Sequence, residues 1–516
     1  MSTVPEESSR ATSAGPTDQP SDTGAFAATA TAPHRPSADG SSRPDRSRPD
    51  RSRQGVRALL TRLHFYAGVF VAPFLIVAAL TGLAYAFAPQ LDQLVYGDQL
   101  TVEKPEGTPH PLADQVAAAR AAHPEGTLDS VITPADPEET TRVVLAVPEL
   151  GENQRTVFVD PYTNEVKGAL TTSFNSTPVT TWLGELHRNL HLGEPGRLYS
   201  ETAASWLWVI VAAGLVLWLA RRRSSRGHPV RRVLMPDRGA RGVRRTRGWH
   251  ATTGLWLAVG LFFLSATGLT WSSYAGARFE TVLDKVHART PELNTSLPSA
   301  PAGSGESAGP HGHHGGSASS KKTADPIADI GPVLATAREA GLTGTVKLTP
   351  SADEHSAWSV AQNDKVWPVH LDQVAVDADK REVTATNRWS DYPLPAKLTK
   401  LGIQAHMGVL FGLANQLLLA ATAIGLLFVI AWGYRMWWQR RPTRADRSAP
   451  LGKPPVRGAW RRLPLPVLLL GLPVAATIGW AVPVLGVTLL GFLAVDIAIG
   501  RIRRYRRSRD IAASTS

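Results

Sequence analysis

The sequence predicts a membrane all-α helical bundle of about six spans carrying two small α+β extracytoplasmic domains, laid out as a tandem parallel repeat. Three observations lead there. Apolar residues collect in blocks long enough to cross a bilayer, arginines collect between alternate blocks, and one spacing of histidine, glycine and threonine occurs twice. Averages conceal this pattern: of 516 residues 43% are hydrophobic and mean hydropathy is −0.10, because membrane blocks and polar tails cancel.

Residues 1–57 are rich in Ser, Pro and charge and read as a disordered cytoplasmic tail. The first apolar run follows this long polar stretch, so it is expected to remain as an anchor, a first span at 58–88, with no cleavable signal peptide. A first α+β domain is expected at 100–170. An interfacial segment and second span follow at 180–220, a basic cytoplasmic loop at 221–248, and a third span at 249–275. A flexible His/Gly/Ser linker at 290–323 leads to a second α+β domain at 324–386. A fourth span is expected at 400–435. The block 463–500 is too long for one crossing and is broken around Gly479 to Pro483, so it reads as a short hairpin before a basic tail at 501–516.

Orientation follows from charge. Between the second and third spans stand Arg221, Arg222, Arg223, Arg226, Arg231, Arg232 and four further arginines up to Arg245, then Arg247, opposed only by Asp237. Both tails and the segment from Arg435 to Arg462 are similarly basic, which puts them and both termini on the cytoplasmic side of a plasma membrane and the two α+β loops outside. The net charge of +12 is therefore topological, and nucleic acid is not an expected partner. The chain has no cysteine, which excludes disulfides, iron–sulfur clusters and thiolate metal sites and leaves histidine as the main soft ligand. Many of the 15 tryptophans, among them Trp182, Trp206, Trp249, Trp271 and Trp432, fall at the ends of apolar blocks, as an interfacial aromatic belt requires.

The repeat is visible in letters. His64, Gly68 and Thr81-Gly82-Leu83 share their spacing with His250, Gly254 and Thr267-Gly268-Leu269. In the loops, Val157-Phe158-Val159-Asp160 with Glu165-Val166 matches Val374-Ala375-Val376-Asp377 with Glu382-Val383, each after an Ala-rich helical run. His187 and Gly193 share the spacing of His406 and Gly412. Residues 60–220 and 246–435 therefore read as duplicates running in the same direction.

The V-D-x4-E-V hairpin after a helix resembles a PepSY domain, and its bracketing by such helices resembles the PepSY-associated transmembrane helix family. The resemblance covers about 60–435. That family includes iron-regulated membrane proteins and ferric-siderophore reductases, so it implies a membrane protein of iron uptake. His64, the run Leu186-His187-Arg188-Asn189-Leu190-His191, His250 and the run Gln404-Ala405-His406-Met407-Gly408 are the family-like positions.

Taken singly, each of these histidines also reads as a polar residue of the interfacial belt. Duplication changes the reading, because equivalent residues then face one another across a pseudo-twofold axis, and two opposed imidazoles are what a six-coordinate haem iron needs. His64 is expected to pair with His250 at the cytoplasmic face, and His187 or His191 with His406 at the outer face, holding two b-type haems. If His187 and His191 lie on one helix they share a face and cannot both be axial ligands of one haem. Repeat alignment favours His187, since Leu410 stands in the place of His191. Gly68 and Gly254, one turn above the inner histidines, allow close approach of either a planar cofactor or another helix. His311, His313 and His314 in the linker could bind Cu or Zn weakly, or form a solvated low-complexity tract. Asp496 is expected to pair with Arg501 or Arg503.

No nucleotide-binding glycine loop and no hydrolase constellation is present, so electrons would come from a cytoplasmic protein or a membrane quinol. The leading expectation is a haem-containing transmembrane electron-transfer protein that reduces ferric iron, held in a siderophore or other metal complex, at the outer face. The alternative is a non-enzymatic, membrane-anchored PepSY protein that binds peptides, proteases or metal.

Overall fold

A computed structural model describes residues 51–223, 234–297, 326–439 and 465–514. The tail before residue 51, the centre of the basic loop, the 440–464 segment and the linker with His311, His313 and His314 lie outside the described residues.

The chain enters through α1 (Arg51–Phe70) and α2 (Ala72–Ala86), which meet at a bend of 57°. Pro73 causes it: proline lacks the N–H that would reach the carbonyl of Val69 and its ring crowds that oxygen. The freed Val69 carbonyl accepts instead from the Tyr434 hydroxyl at 3.1 Å. The first predicted span is thus a broken one. Outside it stand α3 (Ala88–Leu100), α4 (Leu112–Ala122), β1 (Thr127–Ile132), β2 (Thr141–Ala146), β3 (Gln154–Val159) and β4 (Val166–Thr172). A short helix, α5 (Pro178–Asn189), precedes the long α6 (Glu194–Arg223).

The second half runs through α7 (Gly242–Thr270), α8 (Ser273–Lys285), α9 (Ile327–Glu339), β5 (Val346–Thr349), β6 (Trp358–Gln362), β7 (Gln373–Asp377) and β8 (Glu382–Asn387). It returns through α10 (Leu394–His406) and α11 (Leu413–Gln439). The segment predicted as one fourth span is therefore split, with Gly408 and Gly412 at φ of 83° and 55° in the break. Between α5 and α6 the corresponding break holds Leu190, His191 and Gly193 at φ of 56°, 55° and 62°. Helices α12 (Leu465–Ala481) and α13 (Pro483–Ser514) close the chain.

Among the described residues four helices are long and apolar enough to cross a membrane, within α6, α7, α11 and α13, and the bent pair α1–α2 makes a fifth. The expectation of six counted α12 as well. Its apolar part, Leu468–Ala481, rises only about 21 Å against a hydrocarbon core of about 30 Å. In the bundle α7 packs between α6 and α11, α2 lies against α11 and α5, and α1 against α6. Ala67, Val71, Leu75, Ala203, Leu261 and Leu426 form its core, the small residues letting backbones approach.

All eight strands form one antiparallel sheet in the order β4-β3-β2-β1-β5-β6-β7-β8. The strand groups expected in separate domains join at the central seam, where Val131 pairs with Leu348 and Ile132 with Lys347. Alternation puts Val131, Val143, Val157, Leu348, Val360 and Val374 on one face, against Val116 of α4 and Ile330 of α9. Each edge hairpin turns on its aspartate. Asp160 Oδ1 accepts from the Tyr162 and Thr163 amides at 2.8 and 3.3 Å. Asp377 Oδ1 accepts from Asp379 and Lys380 at 3.1 and 3.2 Å. These are Asx turns, and each permits the positive φ that follows, 60° at Asn164 and 56° at Arg381. The V-D-x4-E-V signature is thus a turn requirement.

Candidate functional site

Two pairs of histidines meet inside the bundle. His64 of α1 and His250 of α7 have ring centroids 6.1 Å apart at an interplanar angle of 78°. His187 of α5 and His406 of α10 have centroids 6.4 Å apart at 51°. All four rings are half-buried.

Each ring is held at Nδ1. His64 Nδ1 lies 2.9 Å from the Ile210 carbonyl, and His250 Nδ1 lies 2.9 Å from the Val429 carbonyl. A carbonyl only accepts, so both Nδ1 atoms carry the proton. At the His187–His406 pair the partners are hydroxyls, Thr81 Oγ1 at 2.9 Å from His187 Nδ1 and Thr267 Oγ1 at 2.7 Å from His406 Nδ1. Thr81 already donates to the Val77 carbonyl at 2.8 Å and Thr267 to that of Phe263 at 2.7 Å, so both hydroxyls accept from the imidazoles. All four histidines are consequently fixed as the Nδ1–H tautomer, with the Nε2 lone pair left for a ligand.

Glycines give the rings room. A Cβ on Gly82 would lie 3.0 Å from His187 Cε1, and one on Gly214 would lie 3.1 Å from His64 Cε1. Gly268 and Gly433 stand in the corresponding places beside His406 and His250, where a Cβ would lie 3.6 and 3.7 Å from Cε1. Beside Gly68 and Gly254, one turn from His64 and His250, a Cβ would meet nothing within 4 Å, which leaves open space rather than close helix packing.

The pair spacing suits an axial ligand set. A metal–imidazole bond of roughly 2.0 Å and about 1.1 Å from Nε2 to the ring centre, doubled across the metal, give centroids about 6.2 Å apart. Among the described residues no group of three or more His, Asp and Glu side chains converges on one point. Two opposed nitrogens alone hold a bare ion poorly, whereas a porphyrin iron takes its other four nitrogens from the macrocycle. The residues present therefore fit a haem at each pair.

His191 departs from its expected place. Helix α5 ends at Asn189, and Leu190 and His191 take left-handed backbone, so His187 and His191 do not share a helical face. His191 is exposed and packs on Trp182, with centroids 5.1 Å apart. Asp496 forms a close ion pair with buried Arg62, two residues before His64, tying α13 to α1.

Several supporting residues escaped sequence reading. Thr81 and Thr267 were visible only as letters of a motif. Gly214 and Gly433 each stand 27 positions after an outer histidine, and Ile210 and Val429 stand 23 after, a shared offset that could have found them. Glu201 accepts from the Tyr274 and Ala275 amides at 3.2 and 3.0 Å, capping α8. Asn415 Nδ2 donates to the Ala405 carbonyl at 2.8 Å and so braces the end of α10 beside His406. A cleft of about 870 Å³ opens between α3, α5 and the β1–β2 loop, lined by Asp92, Asp136, Glu138, Glu139 and Arg142.

No curated protein matches the chain. The family model of the PepSY-associated TM region matches residues 61–440, from the first turns before His64 to the end of α11, and takes in both histidine pairs and the whole sheet. With nearly three quarters of its length matched, the chain is a membrane protein that belongs to the PepSY-associated TM region family.

Proposed function

We propose that this protein is a haem-dependent electron conduit of the plasma membrane, built as a tandem repeat. It would carry electrons outward to reduce ferric iron, bound in a siderophore or another chelate, beside the extracytoplasmic sheet. The observation that carries the reading is the four-fold use of one design: each imidazole has Nδ1 committed as a donor, its Nε2 free, and a partner imidazole at 6.1 or 6.4 Å.

A haem at each pair would supply reversible one-electron chemistry. The residues do the rest. Carbonyls of Ile210 and Val429 and hydroxyls of Thr81 and Thr267 fix ring orientation and raise the basicity of Nε2. The two pairs sit toward opposite ends of α7, since His250 and Thr267 are separated by about 25 Å of helical rise. One centre at each end divides a crossing of about 30 Å into shorter steps. Each ferric ion reduced takes one electron, supplied on the cytoplasmic side by a reduced protein or a membrane quinol. Reduction would release iron, because hard oxygen donors hold the smaller and more highly charged ferric ion better.

Six spans, with α12 as a short leg, and cytoplasmic termini complete the proposal, supported by the basic segments between alternate spans. The test is an absorption spectrum of the purified chain before and after dithionite. A Soret band with reduced α and β bands of a six-coordinate b-type centre is expected. Absence of any Soret band after expression with adequate haem supply would refute the reading.

A further inference from the structure

The loop between β6 and β7 turns its apolar residues outward. Asp364 and His370 close its neck: the His370 amide donates to the Asp364 carbonyl at 3.1 Å, and His370 Nδ1 lies 3.1 Å from Asp364 Oδ2. Asp364 Oδ1 also accepts from the Val366 amide at 3.2 Å, an Asx turn that swings the chain out at the tip. Val369 is buried inside the neck, whereas Lys365, Val366, Trp367 and Pro368 are all exposed. Val366 and Trp367 keep 47% and 55% of their surface open.

This tip is fastened beside a membrane span. The Trp367 amide donates to the Leu410 carbonyl at 2.7 Å, and the Trp367 ring lies 6.2 Å from that of Phe411. Phe411 is 55% exposed and stands two residues before α11, which is long and apolar enough to cross a bilayer. On α11 the exposed residues Leu413, Leu417, Ile424 and Phe428 fall within an arc of about 60°. In a span such an apolar stripe meets lipid, and Phe411, Trp367 and Val366 carry the apolar surface beyond its first residue. Tryptophan suits the place where acyl chains give way to headgroups, because its ring is apolar and its N–H remains a donor. Lys365 beside it is long enough to lay its methylene stem along apolar surface and keep its ammonium among the phosphates.

We propose that the Lys365–Pro368 tip, together with Phe411, is an interfacial anchor whose partner is lipid: it seats in the headgroup layer of the leaflet nearest the sheet. The anchor holds the β5–β8 half of the sheet at a fixed height over the membrane. Through the Leu410 carbonyl it also steadies the turn between His406 and α11. The inference rests on the exposed surface and on the span α11, and it is independent of the haem reading.

The chain contains no cysteine, so single cysteines introduced into the full-length protein report without background. Val366→Cys is compared with Leu417→Cys on the lipid stripe and with Glu354→Cys in the exposed β5–β6 loop, at the other end of β6. Each carries a nitroxide label in phosphatidylcholine nanodiscs, and collisions with oxygen and with a water-soluble nickel chelate are measured. The Val366 label is expected to lose most of the nickel collisions seen at Glu354 while keeping the oxygen collisions seen at Leu417. Adding Trp367→Glu should restore the nickel collisions, and adding Trp367→Phe should not. If the Trp367→Glu variant is not monodisperse, the comparison of Val366 with Glu354 decides alone. Nickel collisions at Val366 equal to those at Glu354 overturn the anchor. Shielding of Val366 from both reagents also overturns it, since a protein then covers the tip, and dipolar broadening between labels would identify that protein as a second copy of the chain.

Discussion

The two glycines beside His187 and His406 make a controlled comparison. Gly82→Ala and Gly268→Ala are the same change at matching positions, late in α2 and α7. Each gains about 1 kcal/mol of helix propensity, which cancels between them. What differs is space. The new Cβ would lie 3.0 Å from His187 Cε1 in the first variant and 3.6 Å from His406 Cε1 in the second, the latter an ordinary van der Waals contact. In the first, the His187 ring must move by a few tenths of an ångström, which strains the 2.9 Å bond to Thr81 and turns Nε2 from its aim. Overpacking of this kind costs about 1–3 kcal/mol. Gly82→Ala is therefore expected to be less stable than Gly268→Ala by that amount, and to hold less haem at the outer pair while Gly268→Ala matches wild type. Thermal unfolding in detergent, followed by size-exclusion chromatography and by the reduced-minus-oxidised spectrum, reads both. Equal behaviour of the two variants would refute the close approach of Gly82 to His187.

Other outcomes follow from named contacts. Thr81→Val and Thr267→Val remove the acceptor from an imidazole N–H and should lower haem retention about 10–100-fold, with Thr81→Ser restoring it in a haem-dissociation assay. Arg62→Ala removes the close ion pair with Asp496 between α1 and α13, the side chains being 8% and 24% exposed. Its cost should be about 3 kcal/mol, and a double-mutant cycle with Asp496→Leu should show strong coupling. Glu201→Ala leaves two amides of α8 without an acceptor and should cost about 1–2 kcal/mol in denaturant titrations. Leu348→Ala at the seam should cost about 2–5 kcal/mol and loosen both halves of the sheet together in hydrogen exchange, because β1 and β5 share it.

The apolar crossings within α6, α7, α11 and α13, the edge hairpins and the meeting of the histidines in pairs were legible because each rests on a local rule. Apolar length marks a crossing, an aspartate before a positive-φ residue marks the turn, and the repeated spacing of His64 and His250 marks their pair. What the letters concealed depends on tertiary context. Pro73 announces a break but not its 57° bend or the Tyr434 hydroxyl that donates to the freed carbonyl. His191 keeps helical spacing from His187, yet Leu190 ends the helix in left-handed backbone and sends the side chain to Trp182. The joining of two strand groups at Val131 and Leu348 is a non-local pairing with no signature in either strand. Asp496 reaches Arg62, 434 positions away, a contact that no local pattern announces.

The claim that the histidine pairs carry electrons across the membrane is tested most directly in proteoliposomes. With dithionite enclosed and a membrane-impermeant ferric chelate outside, wild-type protein should produce external ferrous iron. His250→Ala, at the inner pair, and His406→Ala, at the outer pair, should each abolish it. External reduction that continues at the wild-type rate in both variants would contradict the account.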